Sequence, residues 1–135
     1  MMSSTSSAVR RLLARMRNVN FAFLFGSEAR GKAGKASDVD IGLFLARPLA
    51  PEKRLALRLD LADKLSGLTG READVVILNS AGSFLKYQVA RDGKLLFERK
   101  RGAAKQFRLN AIKEYFDYLP TFNFHFNRQK KRRTA

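Results

Sequence analysis

Two aspartates, Asp38 and Asp40, stand one residue apart, and ten residues before them lies a small turn, Gly26-Ser27. In an extended strand, positions i and i+2 face the same way, so both carboxylates share one face. Like charges held side by side repel, and burial raises the cost. A divalent cation between them removes it through hard oxygen ligands. The backbone N–H groups of Gly26-Ser27 could cradle a phosphate. Gly26 permits close backbone approach, and the Ser27 hydroxyl and N–H can donate to phosphate oxygens. A phosphate turn beside paired carboxylates is the equipment for metal-assisted nucleotidyl transfer.

These groups need strands to hold them. Residues 21–25 (Phe-Ala-Phe-Leu-Phe) read as a buried strand leading into the turn. Residues 38–45 read as a second strand, with Val39, Ile41 and Leu43 facing away from the two aspartates. Pro48 and Pro51 break the chain. Residues 52–66 then form a helix with a stripe of Leu55, Leu59, Ala62 and Leu65, broadened by Leu61 and Leu68. Residues 72–78 are a third strand, 82–91 a helix, 94–98 a short strand and 102–119 a final helix ended by Pro120. Residues 3–18 form an opening helix that turns Leu12, Leu13 and Met16 inward. This order predicts an α/β (α+β) protein with a small mixed β-sheet flanked by helices. Residues 1–120 form one domain, and residues 121–135 an aromatic and basic tail.

Composition narrows the function classes. At 135 residues there is no room for a second sizeable core. The absence of cysteine excludes a disulfide framework, thiol chemistry and a zinc finger. No apolar run approaches the roughly 20 residues that span a bilayer. The Ser-rich start lacks the apolar region of a secretory signal, so a cytoplasmic location and no membrane partner are expected. No GxxxxGK[ST] or GxGxxG string exists, which excludes P-loop and Rossmann readings. The 27 Lys and Arg outnumber 12 Asp and Glu, a net charge of +15 that attracts polyanions. Residues 128–133 alone carry five positive charges, either as a solvated tail or as an RNA contact. His125, the only histidine, sits among phenylalanines and reads as a packing or surface residue.

The string GSEARGKAGKASDVDIGLF, residues 26–44, resembles the signature of the DNA polymerase β-type nucleotidyltransferase superfamily, in particular its minimal nucleotidyltransferases. The resemblance implies a polymerase β-like fold with the carboxylate strands adjacent. It also implies a third carboxylate on a later strand, and Asp74 in Ala73-Asp74-Val75-Val76 stands where that strand is expected. Asp38, Asp40 and Asp74 would be the catalytic residues and would hold Mg2+. Gly26, Ser27 and Arg30 would bind the triphosphate of ATP, with Arg30 offering a bidentate fork.

Minimal nucleotidyltransferases commonly serve as antitoxins of HEPN–nucleotidyltransferase toxin–antitoxin pairs. The resemblance therefore implies transfer of AMP to a tyrosine of a cognate HEPN ribonuclease toxin, within a heteromeric complex. Residues 113–122, rich in aromatics, also look like the end of such antitoxins. They suit either partner docking or completion of the core. Two alternatives stay open: a non-catalytic antitoxin that masks its toxin, and an RNA-binding or RNA-modifying nucleotidyltransferase.

Overall fold

The computed structural model describes residues 4–26 and 39–134. In chain order the elements are α1 (Ser4–Arg15), β1 (Val19–Phe25), β2 (Val39–Leu45), α2 (Pro51–Thr69), β3 (Ala73–Ile77), a 3-10 turn (Leu78–Ser80), α3 (Ser83–Asp92), β4 (Lys94–Glu98) and α4 (Ala103–Thr134). The strands form one mixed sheet in the order β3-β2-β1-β4. β1 runs antiparallel to β2 and to β4, while β2 and β3 are parallel. A parallel pair needs a long crossover, and α2 supplies it.

Alternation along the strands sorts the side chains onto two faces. Val39, Ile41, Leu43 and Leu45 of β2, with Ala73, Val75 and Ile77 of β3, are buried against Val9, Leu13, Leu61 and Leu65 of α1 and α2. The other face carries Phe21 and Phe23, buried with Val89, Ala90, Ala104, Phe107 and Ala111 of α3 and α4. The Phe107 ring lies within 5.4–5.9 Å of the Phe21, Phe23 and Phe44 rings.

Arginines lock the elements together through backbone carbonyls. Arg99 donates to the carbonyls of Ala14, Met16 and Val19, tying the end of β4 to the end of α1. Arg108 donates to the Ala90 and Gly93 carbonyls at 2.8 Å each, and its guanidinium lies 4.6 Å from the Phe23 ring centroid. Burial pulls its pKa below the ordinary arginine value. Arg58 of α2 donates to the Val75 carbonyl at 2.7 Å and so occupies a backbone acceptor of edge strand β3.

Two sequence expectations are corrected. Leu55, Leu59 and Leu68 of the expected α2 stripe are exposed, and the buried side is Leu61 and Leu65, flanked by Leu57 and Ala62. Apolar side chains surround α2, so periodicity did not single out the face that meets the sheet. The final helix also does not stop at Pro120, because α4 continues to Thr134. Proline removes one N–H donor and crowds one carbonyl four residues back. The i→i−4 bonds on either side survive that loss.

The packing gives a direct test of the corrected face. Phe23→Ala, at a fully buried ring, is expected to cost about 3–5 kcal/mol in urea unfolding. Leu59→Ala, on a side chain 64% exposed, should change stability by less than about 0.5 kcal/mol.

Candidate active site

The site is built where β1 ends and β2 and β3 begin. Phe25, the last residue of β1, pairs with Asp40, and Asp40 in turn pairs with Asp74 of β3. The odd-numbered residues of β2 and β3 fill the α1/α2 core, so Asp40 and Asp74 point to the opposite face. There they stand on neighbouring strands about 4.8 Å apart. Asp40 is half-buried and Asp74 is exposed. Phe25 packs at the margin of the α3/α4 core and borders the carboxylates on the β1 side.

Gly26 closes β1 with φ at +78°, a left-handed conformation that L side chains rarely adopt. A Cβ at this position would run into the Asp40 carboxylate oxygen. The strand end and the carboxylate are therefore pressed together with room for backbone alone. The glycine meets both a conformational and a steric demand.

Of the six residues expected to form the site, the structure brings three together: Gly26, Asp40 and Asp74. Ser27, Arg30 and Asp38 lie outside the described residues. Among the described residues no cluster of three or more His, Cys, Asp or Glu could hold a metal ion. Asp40 and Asp74 make a pair of hard oxygen donors on one face, and the missing Cβ at Gly26 leaves room for the first of them. That donor set suits a magnesium-like cation better than a soft thiophilic metal.

Sequence reasoning missed the Phe25–Asp40 register and the backing of β3 by Arg58. The alternation of β1 and β2 gave each strand its faces. It contained no signal for how far one slides along the other.

A glycine turn packed against one strand carboxylate, with a second carboxylate in register beside it, sets two hard oxygen donors at the end of β1. The chain belongs to the polymerase beta, nucleotidyltransferase family, which matches residues 8–102. It is 37% identical over 75 residues to the protein adenylyltransferase MntA of Shewanella oneidensis. That match covers 56% of this chain and 51% of MntA, so the chain spans about half the length of the curated relative it matches. Among solved structures, a toxin–antitoxin with AMP-PNP superposes with a TM-score of 0.77 at 25% identity, covering 93% of this chain and 97% of that one. A complex of a tri-AMPylated Shewanella oneidensis HEPN toxin with MNT antitoxin gives a TM-score of 0.73 at 24% identity, covering 91% of this chain and 93% of that one. The latter likeness shows the shared fold.

Two glycine substitutions separate backbone strain from crowding of the carboxylate. Gly70, also at positive φ (+68°), has open space where a Cβ would lie. Gly70→Ala should therefore cost about 1–2 kcal/mol from left-handed strain alone. Gly26→Ala should cost more and should also weaken Mn2+ binding, read by isothermal titration. Equal losses at the two positions, with metal binding intact, would contradict that crowding.

Proposed function

We propose that this chain is an adenylyltransferase antitoxin, moving AMP from ATP onto a tyrosine of a cognate HEPN ribonuclease toxin and so neutralising it. The observation that carries the reading is the register of Asp40 on Asp74, with the Gly26 backbone against the Asp40 carboxylate. The likeness to MntA and to the antitoxin fold of the AMP-PNP complex supports the choice of nucleotide and acceptor.

In this reading Asp38, Asp40 and Asp74 hold Mg2+. When bound, that ion offsets negative charge on the α-phosphate and on the departing pyrophosphate. Gly26 and Ser27 bind the triphosphate through backbone N–H groups and the serine hydroxyl, and Arg30 pairs with phosphate oxygens. Asp74, exposed at the open side of the pair, faces the incoming hydroxyl and helps to remove its proton as the oxygen attacks the α-phosphorus. The bond to pyrophosphate breaks as the new phosphate ester forms.

The exposed aromatics of α3 and α4 suit a protein partner. Tyr87 and Tyr115 stack at 4.1 Å between centroids, and beside them Phe84 and Phe116 are more than half exposed. Rings preordered in this way lose little freedom on docking.

The test is label transfer from α-labelled ATP with Mg2+ to the product of the neighbouring gene. Asp40→Ala should lower transfer at least about 100-fold, since a lost metal ligand removes several kcal/mol of transition-state stabilisation. Asp74→Asn should lower it as well while leaving partner binding unchanged. Toxin neutralisation that survives both substitutions would point to masking by binding. Label transfer that survives them would place the active site elsewhere.

A further inference from the structure

A groove of about 650 Å3 opens on the α3/α4 face of the sheet, at the strand ends remote from Asp40. Phe21 and Phe44, which pair across β1 and β2, lie in it, whereas the carboxylate site begins at Phe25. Its floor is aromatic: the Phe21 and Phe44 rings stack 4.9 Å apart and within 1° of parallel, with Phe107 tilted against both. Phe44 is only half-buried.

One wall carries the exposed amides of Gln106 and Asn110, hydrogen-bonded to each other at 3.0 Å. On the other side, Lys86 pairs with Glu114 at 2.8 Å, and that hydrogen bond holds the Glu114 carboxyl below its usual pKa range. This lip is close to neutral. Lys100 and Arg101, both exposed at the mouth, therefore set the sign of the groove.

We propose that this groove binds single-stranded RNA. Three features converge on that ligand. The half-buried Phe44 ring, backed by the buried Phe21 and Phe107 rings, offers a stacking surface that every base can use. The amide pair offers donors and acceptors to base edges and 2′-hydroxyls. Lys100 and Arg101 hold phosphates at the mouth, in a chain whose net charge is +15. A duplex would hide its base faces from the floor. An acidic peptide would use the mouth and leave the floor and the amides without a role. α4 starts at the groove, and its helical backbone runs on through 128–133, whose five positive charges add attraction without discrimination.

The test is fluorescence anisotropy of a short labelled single-stranded RNA with the full chain, across a salt series. Polyphosphate and duplex RNA serve as competitors. The RNA should bind with salt-dependent affinity, and unlabelled single strand should compete at least about tenfold better than polyphosphate of equal charge, because stacking adds to charge. Lys100→Glu with Arg101→Glu should weaken binding and make the slope of log affinity against log salt shallower by about 2. Glutamine at Arg128, Lys130, Lys131, Arg132 and Arg133 should weaken all ligands together and keep the preference for single strand. Parental affinity and slope in the Lys100/Arg101 variant would overturn the proposal. So would polyphosphate or duplex competing equally, or a preference that disappears with the 128–133 charges. Circular dichroism of each variant separates loss of the site from loss of the fold.

Discussion

Asp40 and Asp74 occupy paired positions on adjacent parallel strands, an arrangement that two like charges resist. The constraint that tolerates it is the packing on the opposite face. Val39 and Ile41 flank Asp40, and Ala73 and Val75 flank Asp74, all buried in the α1/α2 core. A slip of one residue would turn a carboxylate into that core and an apolar side chain out to water. The hydrophobic register thus holds the charges together. The same register puts Phe25 opposite Asp40 and so delivers Gly26 to the carboxylate.

The two sheet faces divide the work. The α1/α2 side is closed and apolar, and it fixes the strands. Helices α3 and α4 cover the middle of the other side through Phe21, Phe23, Val89 and Phe107. At one end this face carries the carboxylate pair, and at the other it opens into the groove of Phe44 and Lys100. The carboxylate pair and the groove therefore stand on one surface, supported by a core on the opposite side of the sheet.

The basic excess also has a structural share. Arg58, Arg99 and Arg108 each donate to backbone carbonyls of a neighbouring element. A guanidinium can satisfy several acceptors at once in fixed geometry, which a lysine cannot. Part of the positive charge thus holds the fold, while Lys100, Arg101 and the five charges of residues 128–133 belong to the excess that gives the chain its net +15.

The sequence by itself determined the strands, their faces and the carboxylate pattern, because alternation and i, i+2 spacing are local properties of an extended chain. It also determined the exclusions, since missing cysteines and missing phosphate-loop strings need no fold to be read. Tertiary structure alone decided three matters. The Leu61/Leu65 side of α2 is buried and the Leu55/Leu59 side is not, because the sheet chooses which of two apolar sides it meets. α4 passes through Pro120, because a single lost hydrogen bond is a local cost that the helix on either side survives. The resemblance already set the carboxylate strands side by side, but the register of Asp74 on Asp40, 34 positions away in the chain, was decided by the β2–β3 pairing, which alone sets how far one strand slides along the other.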